Sequence, residues 1–316
     1  MADSFLGLDE LLKISDKNLA ELDITDLLQD APLLAALAAD TASHGTQHQY
    51  LKETGAPTVG FRAPNAGVEN SKSSDTLVTV NCSILDASFN VDKAVADPYP
   101  KGGAQAFIGR EAARFLKAAF AKAEAQYLYG QAAGAANGFA GMVDVLRYLD
   151  VNADMLVNAG GSTADTGSSV FLIRTGANDL QAIAGANGEL AISESVVTPL
   201  LDGDGKRFTG YHTPIIGHMA MQAGSKYSFA RICNLTAQAG KGLTDDLIYQ
   251  ALALFPASRQ PNLIAMSRRS LEQLRESRTA TNATGTPAPR PQDVEGIRIV
   301  VTDSIVNTEA IVANEP

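Results

Sequence analysis

The chain has 316 residues, 45% of them hydrophobic and 19% charged, and its formal net charge is −10. This composition is typical of a globular protein and excludes wholesale disorder. The excess of acid argues against a protein that grips nucleic acid through its phosphates, because such proteins concentrate Lys and Arg. The sequence shows neither an 18-residue apolar run nor a signal-peptide pattern, so we expect a soluble protein made in the cytosol, with no membrane partner.

The first 40 residues are strongly acidic. They hold nine Asp or Glu residues and two Lys residues, which gives a net charge of 2 − 9 = −7. Many leucines lie among these charges. The leucine spacing predicts one or two short amphipathic helices, interrupted at Pro32. We interpret residues 1–45 as an N-terminal arm.

Residues 46–85 form a long polar segment that is punctuated by Gly and Pro. Its ends are strand-like and predict a hairpin with strands at about 48–54 and 76–85. Structureless loops of this length are uncommon in compact domains unless they are functional, and a lone two-stranded hairpin is only marginally stable in water. The segment therefore predicts an arm that lies on another molecule.

A long amphipathic helix is predicted at 104–129. Residues spaced at i, i+4 and i+7 form one apolar face, namely Ile108, Ala112, Phe115, Leu116, Ala119, Ala123 and Tyr127. Such a helix would be a rod about 39 Å long. The glycine-rich stretch that follows, with glycines at 130, 134, 138 and 141, predicts a flexible joint before a short helix at 141–149.

The rest of the chain is first β-rich and then mixed. Strands are predicted between 168 and 237, including a hairpin around Asn187-Gly188. A helix at 242–255 would begin at Thr244 as its N-cap. A strand at 261–267, a helix at 268–277, a loop at 279–293 and a final strand from Gly296 complete the prediction.

Two groups of polar residues have the spacing of metal ligands. His44 and His48 are spaced like zinc ligands on a helix, but the segment is extended and offers no third ligand, so we interpret them as a solvated pair. Asp202 and Asp204 resemble the start of a calcium loop, but the later ligands do not follow, so an ordinary polar turn is expected.

Motifs of catalysis are not found in this sequence. The segment 240–242 lacks the spacing of a phosphate loop, and the nucleophile and carboxylate patterns of common hydrolases are missing. Cys82 and Cys233 are interpreted as small buried hydrophobic residues in a reducing compartment. We therefore predict a protein that is not an enzyme, with no catalytic, cofactor-binding or metal site.

Four arginines lie close together on the predicted helix at 268–277 and just beyond it, at positions 268, 269, 275 and 278. The group lacks the interleaved aromatic residues of a nucleic-acid surface. We interpret it as a partly solvated helix face that makes inter-subunit salt bridges.

Three segments and the order of the parts carry a resemblance to a known family. The segments are KYSFARICNL at 226–235, LIYQALALFPASRQPNLIAMSRRSLEQL at 247–274 and GIRIVVTDSIVNTEA at 296–310. With the arm, hairpin and long helix before them, they resemble the major capsid proteins of tailed bacteriophages, which have the Hong Kong 97 fold. The resemblance is to a podophage-like subgroup in which the order of P- and A-domain segments is altered.

The resemblance implies an α+β Hong Kong 97-type capsid fold. Its parts would be an N-terminal arm at 1–45 and an extended E-loop hairpin at 46–85. The P-domain would comprise 86–149 and 166–237, with the spine helix at 104–129. The A-domain would comprise 150–165 and 238–316.

The resemblance also implies a function. The protein would be a structural major capsid protein that assembles with itself, as hexamers and pentamers, into an icosahedral shell around a double-stranded DNA genome. It would enclose this DNA without sequence-specific binding. Scaffold, decoration and portal proteins are further partners that the family implies, and the location would be the virion capsid, assembled in the host cytoplasm.

Seven residues are hypothesised to make inter-subunit contacts, namely Lys52, Glu53, Arg62, Glu69, Lys72, Arg268 and Arg269. Some relatives cross-link a hairpin lysine to a neighbour's asparagine. Lys52 and Lys72 lie in the hairpin, but neither an acceptor nor a catalytic carboxylate can be matched, so ordinary salt bridges are expected. The alternatives are an encapsulin-like bacterial nanocompartment, an unrecognised cytosolic enzyme, or a soluble adhesin or tail component.

Overall fold

The computed structural model describes residues 13–14, 28–55, 57–69, 71–100, 102–280 and 286–315. Most of the segment predicted to form helices before Pro32 lies outside these ranges. In chain order the elements are β1 Lys13–Ile14, α1 Pro32–Ala36, β2 Ala39–Thr41, β3 Gln47–Gly55, β4 Ser74–Asn81, β5 Ser83–Asp86, β6 Phe89–Asp92, α2 Lys93–Ala96, α3 Gly103–Ala133, α4 Met142–Val145, β7 Leu156–Asn158, β8 Ser168–Ile173, β9 Leu180–Ala184, β10 Glu189–Ile192, β11 Val196–Leu201, β12 Arg207–Thr213, β13 Ile215–Ala223, β14 Phe229–Leu235, α5 Asp245–Leu252, β15 Leu263–Met266, α6 Arg268–Ala280, β16 Asp293–Val294 and β17 Ile297–Val301.

The long helix α3 is confirmed and forms the centre of the core. Its buried residues repeat at helical spacing and belong to the same apolar cluster as strands of both six-stranded sheets. They are Ile108, Ala112, Leu116, Ala119, Phe120, Ala123, Tyr127 and Leu128. Phe115, which the pattern placed on this face, is 40% exposed and stacks on Phe89 at 4.9 Å.

The glycine-rich stretch that begins at Gly130, near the end of α3, is closely packed, so the prediction of a flexible joint is wrong. Gly130 has φ +62°, where L side chains are strained, and a Cβ atom there would lie 2.2 Å from the backbone nitrogen of Gly141. The Asp144 carboxylate accepts hydrogen bonds from the backbone N–H groups of Gln131, Ala132 and Gly141, at 2.6, 2.9 and 3.0 Å. The glycines are therefore needed for close backbone approach. The predicted helix at 141–149 is reduced to α4.

Sheet 1 has the order β1-β10-β13-β9-β2, with β5 also paired to β13. The hairpin predicted around Asn187-Gly188 is wrong, because β13 lies between β9 and β10 and pairs antiparallel with both. A short 3₁₀ turn at Ala186–Gly188 joins the two strands instead. The predicted second strand of the long hairpin is also divided, since β4 ends at Asn81 and β5 continues into sheet 1.

Sheet 2 has three strands in the order β11-β12-β6. The β11–β12 hairpin turns at 202–206, where the Asp202 carboxylate accepts hydrogen bonds from the N–H groups of Asp204 and Lys206, at 3.0 and 2.7 Å. The polar turn predicted for Asp202 and Asp204 is thus confirmed, because this carboxylate is used by its own turn.

Sheet 3 has the order β16-β17-β15-β8-β14-β7. It joins β8 and β14, from the block predicted as P-domain, to β15 and β17, from the block predicted as A-domain. The predicted boundaries at 166 and 237 therefore cut across one sheet. Strand pairing between distant segments, which local patterns do not reveal, sets these limits.

Helices α5 and α6 are present close to their predicted places. Thr244 is the N-cap of α5, and its hydroxyl accepts from the Leu247 N–H, as predicted. The Arg278 guanidinium on α6 makes a two-point ion pair with Asp245 on α5, at 2.8 and 2.7 Å. Of the helices that the structure describes, none has both the length and the apolar character to cross a bilayer.

The last described segment, 302–315, runs along the body of the subunit. Glu309 exchanges two backbone hydrogen bonds with Gly167, and the Val312 N–H donates to the Asn234 side chain at 2.8 Å. The Glu315 N–H donates to the Asp150 carboxylate at 2.9 Å. We call residues 302–315 the C-terminal strap.

Candidate assembly surfaces

Strands β3 and β4 form a long hairpin whose root is anchored on the body of the subunit. The root packs on β13: the His48 ring nitrogen Nε2 lies 2.7 Å from the Gln222 amide oxygen, and the Ala223 N–H lies 3.4 Å from the Tyr50 hydroxyl. His48 is buried, so its interpretation as a solvated histidine is wrong. The Cys82 thiol, just after β4, is half-buried, whereas Cys233 is buried as expected.

The middle of the hairpin and its tip expose apolar side chains. Leu51 and Leu77 face each other across the two strands and are 66% and 59% exposed. In the connecting tip, 57–69, Val59 is 82% exposed and Phe61 is completely exposed. Single exposed apolar residues are ordinary, but several on one hairpin indicate an interaction surface.

The hypothesised contact residues of the hairpin lie on this projecting part. Arg62, Glu69 and Lys72 are exposed and Lys52 is half-buried. Among the described residues, none of these four forms an ion pair. Glu53 is opposite Asp75 in the strand register, and its side chain lies outside the described part of the structure.

The arginines at the start of α6 are occupied within the subunit. Arg268 pairs with Asp303 at 2.6 Å on the surface. The Arg269 guanidinium donates to the backbone carbonyls of Thr166 and Leu235, at 2.9 and 3.0 Å, and burial lowers its pKa. Arg269 is half-buried, and its donors tie the start of α6 to the segments at the ends of β8 and β14, so its inter-subunit role stays a prediction.

Sheet 2 presents a second exposed apolar surface. Val196, Val197 and Leu201 on β11 are 58%, 50% and 65% exposed, and Phe208 on β12 is 36% exposed. Strand β11 is also an edge strand, because among the described residues its backbone pairs with β12 on one side and with no strand on the other. Exposed apolar edge strands promote association between chains unless they are covered. The periodicity of β11 gave no sign of this exposure.

The buried ionisable residues act as structural ties. On α3, the Glu124 carboxylate accepts from the N–H groups of Leu33 and Leu34, at 2.8 and 3.0 Å, and from the Thr302 hydroxyl. It thereby satisfies the start of α1, which has no side-chain cap of its own. The sequence does carry a signal for this role, since an acidic residue directly follows Ala123 on the buried face of α3.

A second buried cluster holds the C-terminal strap. The Glu309 carboxylate accepts from Arg231, from the Tyr129 hydroxyl at 2.7 Å and from the Ser169 hydroxyl at 2.5 Å. Burial, with the neighbouring Glu309 charge, raises the pKa of Tyr129. Each polar group in the cluster is paired, so the arrangement suits holding segments together. Within the described ranges, no group of three His, Cys, Asp or Glu side chains could hold a metal ion.

The fold of this chain is similar to folds found in solved bacteriophage structures. A chain in the structure of bacteriophage Epsilon15 is 22% identical to this one, and the two superpose with a TM-score of 0.65. The aligned part covers 87% of this chain and 87% of that chain. The bacteriophage JBD30 procapsid is 11% identical, with a TM-score of 0.47, over 91% of this chain and 95% of that one. The JBD30 capsid is 8% identical, with a TM-score of 0.48, over 85% and 89%. No curated protein matches the chain.

The fold is therefore that of bacteriophage shell proteins of the Hong Kong 97 type, as the sequence predicted. The model of the family described as "Major capsid protein GP7" matches residues 16–313. The chain belongs to this family, and it is a structural protein of a capsid shell.

Proposed function

We propose that this protein builds an icosahedral shell from hexamers and pentamers of itself, and that the shell encloses a double-stranded DNA genome in the virion. The observation that supports this most directly is the β3–β4 hairpin, which exposes Leu51, Leu77 and Phe61. The structural role of the family supports a protein without catalytic activity.

The hairpin is the proposed interlocking device. A two-stranded hairpin with both edges free gains little stability on its own. It becomes stable when a neighbouring subunit covers its apolar row. Lys52, Arg62, Glu69 and Lys72 are the proposed polar contacts around that row, and Glu53 remains a proposed contact of the same hairpin. Arg268 is proposed to contribute only where an inter-subunit partner displaces Asp303.

Sheet 2 supports the idea that subunits contact one another at more than one surface. A subunit that tiles a cage must use different patches against different neighbours, because head-to-tail contacts close into rings and further contacts join the rings. The apolar edge of β11 lies on a sheet that does not include the hairpin. It is the proposed second contact, made between copies or with a decoration protein.

The charge of the chain is compatible with enclosing DNA without reading its sequence. At a net charge of −10, most of the surface does not attract phosphates. Scaffold and portal proteins, and assembly in the host cytoplasm, complete the proposal. An encapsulin-like nanocompartment is the alternative, and the contents of purified shells distinguish the two: uniform DNA supports the capsid and a packaged enzyme contradicts it.

The hairpin can be tested with a matched pair of variants. Leu51 and Leu77 face each other in register, and so do the exposed polar residues Gln49 and Thr79 on the same face, one pair nearer the root. We expect the double variant Leu51→Ser/Leu77→Ser to raise the concentration needed for shell assembly at least about tenfold, because each buried leucine contributes about 1.5–3 kcal/mol. We expect Gln49→Ser/Thr79→Ser to assemble normally.

Electron microscopy and sedimentation of the purified variants give the measurement. Both double variants should remain folded, because the four side chains lie outside the core. Replacing residues 56–73 with Asn-Gly, which joins the paired residues Gly55 and Ser74 by a short turn, removes the tip completely. Normal shells from this shortened chain would contradict the proposed role of the hairpin.

A further inference from the structure

The hairpin tip presents an aromatic residue without any cover. The Phe61 side chain is completely exposed. Hydrogen bonds between Thr58 and Ser71 close the tip, including one of 2.7 Å from the Thr58 N–H to the Ser71 hydroxyl. Large aromatic side chains gain much of their stabilising energy from burial. A defined loop that holds a phenyl ring in solvent is therefore suited to insertion into another surface.

A cavity of about 330 Å³ lies at the root of the same hairpin. We call it the root cavity. Its walls are mainly apolar and come from the hairpin, from the segment 140–155 and from β13 and β14, with Val80, Val145, Leu146, Val151, Met155 and Phe229 among the lining residues. Three charged side chains, Lys52, Asp154 and Lys226, also line it. The cavity is large enough to receive an aromatic side chain.

We propose that Phe61 of one subunit inserts into the root cavity of a neighbouring subunit. This inference rests on the proposed function, in which the hairpin reaches a neighbour. Tip and root are different surfaces of the same chain, so their contact is head-to-tail. Repeated head-to-tail contacts close into rings, as a capsomer requires.

The charges around the two surfaces are complementary. The tip carries one base beside the ring, Arg62, and one acid, Glu69. At the cavity, the Asp154 side chain is 83% exposed and Lys226 is 58% exposed, and their charged atoms are 3.7 Å apart. Arg62 can therefore pair with Asp154, and Glu69 with Lys226.

Other cavities fit this tip less well. A cavity of about 560 Å³ beside the C-terminal strap is also largely apolar, but its acidic lining residue, Glu309, is buried and already paired with Arg231, so it offers Arg62 no exposed acid. The cavity near Arg174 is lined mainly by polar groups, including Asn178, Asp179 and Asn262. The combination of apolar walls and an exposed acid favours the root cavity as the place for a Phe-Arg pair.

Paired cysteines test this contact in assembled shells of the full chain. In a Cys82→Ala background, Phe61→Cys is combined with Val151→Cys, which lines the root cavity, or with Val306→Cys, which lines the strap cavity. Val151 and Val306 are 59% and 42% exposed, so both positions are accessible. Under mild oxidation we expect the first pair to give a ladder of covalent multimers on a denaturing gel and the second pair to give none.

Three results would overturn the inference: shells of the first pair that give no ladder, a ladder from the second pair, or a cross-link from position 61 to a scaffold or decoration protein. Peptide mapping of the bands identifies the joined residues. These results leave the proposed role of the hairpin intact, because that role is decided separately by assembly of the chain that lacks 56–73.

Charge reversal gives an independent measurement that does not depend on cysteine chemistry. We expect Arg62→Asp and Asp154→Arg each to raise the concentration needed for assembly several-fold. The double variant should assemble at a concentration close to that of the natural chain, because the ion pair forms again with its two charges exchanged. Additive loss in the double variant would contradict the pairing of these residues.

Discussion

Glu309 in the C-terminal strap forms an ion pair with Arg231 on β14, with the Oε2 and Nη2 atoms 3.0 Å apart and both side chains almost completely buried. Arg231 also donates to the Ser169 hydroxyl and to the Leu146 carbonyl. A charge taken out of water is tolerated only when it is fully paired. This ion pair therefore holds the C-terminal strap, and removing either residue leaves the charge of the other buried and unpaired.

We expect Glu309→Ala to lower the free energy of unfolding by about 3–5 kcal/mol, because it leaves the Arg231 charge buried and unpaired. Urea unfolding of the unassembled subunit gives the measurement. Arg268→Ala is the matched control: it removes an ion pair with Asp303 whose side chains are 78% and 70% exposed. Exposed pairs of this kind contribute about 0–1 kcal/mol. Equal losses in the two variants would contradict the role assigned to burial.

Glu124→Ala tests the tie between α3 and the start of α1. The change leaves the buried N–H groups of Leu33 and Leu34 without their acceptor, which should cost about 2–6 kcal/mol at 1–3 kcal/mol for each donor. Amide hydrogen exchange should become faster at Leu33 and Leu34, and it should change less at the amides of sheet 3. Glu111→Ala, on the same helix, removes the ion pairs with Arg110 and Arg114, whose side chains are 45% and 63% exposed, and should leave this exchange unchanged.

Gly130→Ala should destabilise the subunit by at least about 1–2 kcal/mol, the cost of a left-handed residue with a Cβ atom. The steric conflict with Asp144 and with the backbone of Gly141 adds to this cost. Gly109→Ala in the same helix meets no atom within 4 Å and should stabilise by about 0.8–1 kcal/mol. Thermal unfolding of the two variants decides the question, and a tolerated alanine at 130 would restore the interpretation of a flexible joint.

Burial raises the pKa of the Cys233 thiol to about 11. Because the folded state holds this proton more tightly than the unfolded state, the associated stability is fully present below the ordinary thiol pKa. It is lost as the pH rises from there through about 11. Cys233 should therefore resist a thiol reagent at pH 8 in the folded subunit, whereas Cys82 should react slowly. Modification of Cys233 at the rate of an unfolded control would show that it is accessible.

Features set by local periodicity could be predicted well from the sequence. The apolar stripe of α3 and the cap at Thr244 depend on residues a few positions apart, so their physical causes can be read locally. The fold could be predicted from the resemblance to capsid proteins, because this resemblance depends on the order of many segments along the chain.

Features set by long-range packing could not be predicted in the same way. Asn187-Gly188 has the local chemistry of a hairpin, yet β13 enters between the two strands and takes both partners. The abundance of glycine at the end of α3 predicts backbone flexibility, but in the structure these glycines allow backbone segments to approach each other closely. His48 lies in a polar segment and is buried only because β13 passes beneath the hairpin root.

The topology of sheets 1 and 3 bears on how the subunit is made. Sheet 3 takes strands from 156–158 to 297–301, and sheet 1 takes strands from 13–14 to 215–223. Pairings between segments so far apart in sequence are slow to form, because the chain loses the entropy of loop closure before the new contacts stabilise it. Sheet 3 cannot be completed until residue 301 has left the ribosome. Newly made chains thus pass through a period with unpaired strands, in which chaperones and a low local concentration of incomplete chains favour productive folding.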